Sequence, residues 1–190
     1  MPVLRPSRAL LLMLVACFVV AAVHAPAARY KSATYSVVPP DGWTTSTENL
    51  PKGAVAFLGP HELGPQVQDF IVNITVTVEH APHETLTQYV EAMRRQLASP
   101  KEMKIRKDGA SVLGGNTPAH TIFGELHVAN HAELPVLLTH EVIAMHNDRA
   151  FILVLTYPKG IATANEKRYV AIFDKLVASF QWEKETALKK

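Results

Sequence analysis

The run Phe151-Ile152-Leu153-Val154-Leu155-Thr156-Tyr157 is apolar at nearly every position. A strand with one wet face would alternate, so this segment belongs in the middle of a sheet covered on both sides. Two amphipathic helices are available as cover. Over Glu84–Leu97, the residues Leu86, Tyr89, Val90, Met93 and Leu97 recur at three- and four-residue steps. Over Asn165–Phe180 the stripe is Tyr169, Ile172, Phe173, Leu176 and Phe180. Thr85 with Gln88, and Thr163 with Glu166, have capping-box spacing.

The remaining chain alternates strands with short turns. Tyr35–Val38 is stopped by Pro39-Pro40, after which Asp41-Gly42 turns toward Trp43. Ala54–Leu58 reads as a short strand, Gly59–Gln68 as a loop, and Phe70–Glu79 as an alternating strand with Phe70, Val72, Ile74, Val76 and Val78 on one face. Met103–Lys107 and Ala110–Leu113 are read as strands joined by an Asp108-Gly109 turn. Ala119–Val128 and Val136–Met145 follow, linked by Asn130–Pro135, and Asn147-Asp148 turns the chain into the apolar run. Short turns imply antiparallel pairing. The expected fold class is α+β, a mainly antiparallel sheet flanked by helices.

Residues 1–27 read as a secretory signal: Arg5 and Arg8 without an acid, a 15-residue apolar stretch Ala9–Val23, then small residues. That stretch is short of the ~20 residues a membrane span needs. Leu14-Val15-Ala16-Cys17 also matches a bacterial lipobox, in which Cys17 would be lipidated, although Phe18–Val23 extend the apolar stretch beyond it. The expected organisation is a signal at 1–27, one domain over 28–182, and a polar tail at 183–190, with Ala25–Lys31 as a tether. The protein is expected to be exported, periplasmic or extracellular. Cys17 is the one cysteine, so the domain is expected to carry neither a disulfide nor a thiolate metal site. Without Arg5 and Arg8 the basic residues fall from 19 to 17, matching the 17 acidic ones. That balance argues against a nucleic-acid footprint.

The order of landmarks resembles the PsbP-like superfamily. These are Tyr35-Ser36-Val37-Val38-Pro39 before Gly42-Trp43, the long strand before the Leu86–Leu97 helix, Leu113-Gly114-Gly115 before Ala119–Phe123, and Ala150–Tyr157 before a helix ending Leu176-Val177-Ala178-Ser179-Phe180. The resemblance spans roughly residues 33–182. It implies an α/β/α sandwich of PsbP-like type and a non-enzymatic docking or assembly role with a protein partner, and it supplies no shared catalytic motif. Fold alone does not fix function. Membrane contact is expected only through the N-terminal segment.

Histidine is the unusual side chain: nine in all, with only His24 in the leader. His80 with His83, and His127 with His131, are short-range pairs. The third grouping is geometric. If the positions facing each other in the Ala119–Val128 and Val136–Met145 strands sum to an even number, near 266, then His120, His140 and His146 share one face. Three imidazoles there would suit Zn or Cu; otherwise no cofactor is expected. The plainer reading is strand histidines with satisfied hydrogen bonds. No Gly-x-Ser-x-Gly, His-Glu-x-x-His, phosphate loop or CxxC motif is present, so no catalytic residue is assigned. Asn73-Ile74-Thr75 is a sequon placed mid-strand. Trp43 and Trp182 are expected to pack, or to anchor a protein contact if exposed.

Overall fold

The Phe151–Tyr157 run is the middle strand of seven. The computed structural model describes residues 28–64, 67–97, 103–127 and 135–184. In chain order they form β1 (Tyr30–Lys31), β2 (Tyr35–Val37), β3 (Thr44–Ser46), β4 (Val55–Gly64), β5 (Val67–His80), α1 (Leu86–Leu97), β6 (Met103–Leu113), β7 (Thr117–Leu126), β8 (Leu137–His146), β9 (Arg149–Pro158), α2 (Thr163–Ser179) and β10 (Gln181–Trp182). The large sheet has the order β3-β4-β5-β9-β8-β7-β6, antiparallel throughout, and β1-β2-β10 form a small second sheet. Helices cover both faces, so the architecture is the expected α/β/α sandwich.

Strand β9 shows why both covers are required. Phe151, Leu153, Leu155 and Tyr157 are fully buried with Tyr169, Phe173 and Leu176 of α2. Ala150 and Ile152 point the other way, into a smaller cluster with Tyr89 and Val90 of α1. Removing a Phe or Leu side chain from water contributes about 2–3 kcal/mol. The Thr85–Gln88 capping box forms as read: the Gln88 amide donates to Thr85 Oγ1 at 3.3 Å, and the Thr85 amide donates to Gln88 Oε1 at 2.9 Å. The Asn147-Asp148 turn also forms, with both residues in the left-handed region at φ 47° and 56°. That is the geometry of a type I′ hairpin.

The landmarks of the family resemblance meet at the C-terminal end of α2. The Tyr35 and Phe180 rings stack at 5.3 Å. Ser179 Oγ accepts the Val38 amide at 2.9 Å and donates to Leu176 O at 2.8 Å. The Gly114 amide donates to Val177 O. Gly114, at φ +59°, lies so close that a Cβ would fall 2.3 Å from Phe180 O. In the Pro-Asp-Gly-Trp turn the Trp43 amide donates to Pro40 O at 3.2 Å, and Gly42 takes φ +76°, as the third position of a type II turn requires. The Trp43 ring then lies flat on Gly59, where a Cβ would be 2.7 Å away.

Five local expectations are corrected. Asp108-Gly109 is no turn: β6 runs unbroken past it, and a register shift between Ile105 and Lys107 absorbs the extra residue. Gly59–Gln68 is mostly strand, because a register shift between Leu58 and His61 accommodates Pro60 within β4, a known home for proline in sheets. Phe70 packs with the α1 cluster, whereas Val72, Ile74 and Val76 join the α2 cluster. The Thr163–Glu166 box is absent: α2 is preceded by Ala162 with no side-chain cap, because Glu166 instead accepts from Tyr157. The described end of the expected Ala25–Lys31 tether is part of the fold, since Arg29 Nε donates to Ser36 Oγ at 2.9 Å and Tyr30–Lys31 pair with β2. The signal segment with Cys17, most of the Asn130–Pro135 linker and the end of the polar tail lie outside the described residues.

Candidate functional site

Register decides the fate of the histidine trio. Ala119 pairs with Ala144, so facing positions of β7 and β8 sum to 263, not 266, and His120 lies opposite Ile143. An odd sum places His120 on the α1 face, and His140 and His146 on the α2 face. The three imidazoles are not brought together. Among the described residues, no group of three or more His, Cys, Asp or Glu side chains is arranged to hold a metal ion. His146 stacks on Trp182, with centroids 4.1 Å apart and planes at 15°, while Trp182 Nε1 donates to Thr117 Oγ1. His83 has φ +62°, and its amide donates to Asp148 Oδ1; His131 lies outside the described residues.

The richest polar assembly is one the sequence did not single out. It surrounds the N-terminal turns of α2, where Tyr157 of β9 and Tyr169 of α2 sit with ring centroids 6.4 Å apart. Each tyrosine links a base to an acid. Tyr157 donates its proton to Glu166 Oε1 at 3.3 Å, and His140 Nε2 lies 3.0 Å from the same phenol oxygen. A phenol has one proton to give, so for both contacts to be hydrogen bonds Nε2 must carry the hydrogen and donate to Tyr157. Tyr169 donates to buried Glu62, and Arg168 donates to the Tyr169 oxygen at 2.9 Å. Asn165 Nδ2 donates to both Glu62 oxygens, at 3.0 and 3.3 Å. Separately, Glu125 of β7, only 5% exposed, is held by Arg106 and by Lys159 Nζ at 2.7 Å.

These environments set the protonation states. Burial beside Phe123, whose ring lies 4.3 Å from that of His140, pushes the imidazole down to about 4. Burial raises the Tyr157 phenol, and the Glu166 carboxylate raises it further. The hydrogen bond from Lys159 holds Glu125 below the usual carboxylate range; burial opposes the shift and Arg106 adds to it. An imidazole lowered to about 4 is a weak base near neutral pH, and a phenol held un-ionised offers no phenoxide. The hydrogen bonds of the assembly tie β4, β8 and β9 to α2, at about 1 kcal/mol each. A shallow depression of about 370 Å³ runs along α2, lined by Thr163, Glu166, Lys167, Val170, Ala171 and Asp174. Glu166 is the one residue of the assembly on that wall.

The α1 face carries a thinner polar set. Arg94 Nη2 donates to Asp108 Oδ2 at 2.7 Å and to His120 Nε2 at 3.2 Å. Burial and then the Arg94 charge lower His120, while Asp108 opposes them. On the same face Glu141 is 8% exposed. Burial pushes its carboxyl up to about 7, and the Thr139 hydroxyl partly offsets the shift. No motif marks Glu62, Glu125 or Glu141. The available signal was an acid at a strand position with apolar neighbours two residues away, as Glu125 has in Phe123.

No known family's sequence profile matches the chain, and no curated protein matches it. Solved structures do. CyanoP, the cyanobacterial PsbP of Synechocystis sp. PCC 6803, superposes with a TM-score of 0.54 at 16% identity, over 90% of this chain and 99% of its own. LpqN of Mycobacterium tuberculosis, described as involved in cell envelope biogenesis, gives 0.52 at 12% identity, over 84% and 87%. A variant of the protein Mog1 gives 0.50 at 10% identity, over 77% and 89%. At such identities the likeness speaks for architecture only: this chain has the PsbP-like fold.

Proposed function

We propose that the protein is an exported, non-enzymatic PsbP-like domain that binds a protein partner and supports a complex at the cell envelope. The observation carrying this reading is the mutual engagement of the ionisable groups around α2. Glu62, Glu166 and His140 each hold another side chain of the same fold. They act as internal fastenings, and chemistry on a substrate would need such groups free to meet it. The signal-like residues 1–27 support export, and among the described residues no helix is long and apolar enough to cross a membrane. The envelope-biogenesis role described for LpqN accords with such a setting.

The test is crosslinking of the native protein in its own membranes, followed by affinity capture and quantitative mass spectrometry. A reproducible, stoichiometric protein partner is expected. Recovery of this chain alone, or a small molecule consumed by the purified protein, would overturn the reading.

A further inference from the structure

The two edges of the large sheet differ. One is β3, three residues long; the other is β6, eleven residues long and exposed from Lys104 to Asp108, at Ala110 and at Val112. An edge strand leaves alternate backbone N–H and C=O groups unpaired, ready to receive another strand unless something blunts it. The first half of β6 is blunted. Lys104 and Arg106 crowd it, a register shift bends it between Ile105 and Lys107, and Arg106 reaches back to Glu125. The second half is open. From Lys107 to Leu113 the pairing with β7 runs through seven successive positions without a shift. Asp108, the one acid in this stretch, is held by Arg94. Val112 is 55% exposed, the most exposed large apolar side chain among the described residues.

We propose that Lys107–Leu113 receives an extended strand from the protein partner, aligned by an acidic side chain against Lys107 and an apolar one against Val112. The inference rests on the protein-binding reading above and names the surface that would serve it. Backbone pairing supplies the attraction, and alternate side chains supply the selection. The charge argument sets the partner's sign: Lys107 is exposed and forms no ion pair among the described residues, so an acid opposite it gains a cross-strand pair. The bend before Lys107 and the cations Lys104 and Arg106 stop the added strand from running further.

The test uses the full-length protein in native membranes with a photoreactive phenylalanine analogue in place of Val112 or, as a control, of Val38, which is 41% exposed elsewhere. Adducts are expected from position 112 and not from position 38, mapping to an acid-containing segment of one partner. The Lys107→Glu change should lower the yield about fivefold, with the unfolding midpoint unchanged. Adducts from position 38 alone would overturn the edge assignment while leaving the protein-binding reading standing. Adducts of position 112 to a second copy of this chain would also overturn it, because the edge would then be a self-association surface. Absence of adducts at both positions, together with failed crosslinking capture, would sink both readings.

Discussion

Neighbouring residues of β8 meet opposite worlds. His140 faces α2, beneath a 17-residue helix and the larger of the two apolar clusters; Glu141 faces α1, beneath a 12-residue helix and the smaller one. Both are pulled toward the neutral form, but neutrality means losing a proton for one and keeping it for the other. The α2 face is sealed by aromatic packing of Tyr35, Phe151, Phe180 and Trp182, and its polar groups are bonded to one another. The α1 face buries an acid with only a threonine hydroxyl to moderate it. The contrast teaches that the aromatic seal belongs to the α2 face, while α1 is held by a few links such as Tyr89–Glu79 and Arg94–Asp108.

The most damaging change should be Phe151→Ala, at 0% exposure, with a loss of about 3–5 kcal/mol in denaturant unfolding. Met93→Ala on the half-covered α1 face should cost only ~1–2 kcal/mol. Equal losses would break the comparison.

Opposite pH slopes sharpen it. Glu141 is raised from 4.5 to about 7, so the folded state holds a proton that the unfolded state has released. Stability contributed by this group is full below 4.5 and lost as pH rises toward 7, by up to about 3 kcal/mol. His140 is lowered from 6.5 to about 4, so its contribution is full above 6.5 and lost as pH falls toward 4. The two slopes oppose one another between about 4.5 and 6.5. Glu141→Gln should remove the first, leaving unfolding free energy that rises with pH across that window. A slope unchanged from that of the parent protein would contradict the burial of Glu141.

Smaller effects follow. Gly114→Ala forces a side chain into φ +59° against Phe180 O and should cost about 1–3 kcal/mol by thermal or chemical unfolding. Arg94→Ala opens an ion pair whose partners are about one-third exposed and should cost under about 1 kcal/mol in the same assay.

Much of this architecture was legible in residue order. The unbroken apolar run required cover on both faces, the stripe of α1 and its Thr85–Gln88 box located the first helix, and Asn147-Asp148 fixed one hairpin. What stayed hidden depends on register and on competition between partners. A shift of the facing sum to 263 separates His120 from His140 and His146, and no local pattern specifies that number. Thr163 and Glu166 have the right spacing for a cap, yet Tyr157 of the preceding strand claims the carboxylate. Asp108-Gly109 has the composition of a turn, but the ladder to β7 overrides it. The Glu62–Tyr169 and His140–Tyr157–Glu166 links join residues 107, 17 and 9 positions apart, beyond the reach of spacing arguments.

The claim that the converging groups around α2 fasten the fold is tested most directly by His140→Gln and Glu62→Gln. Each variant's unfolding free energy should be measured beside its capture of the membrane partner. The account predicts lower stability in both, about 1–2 kcal/mol for each hydrogen bond weakened, with capture by the folded protein unchanged. Unaltered stability with capture abolished would make these residues a site, and would contradict it.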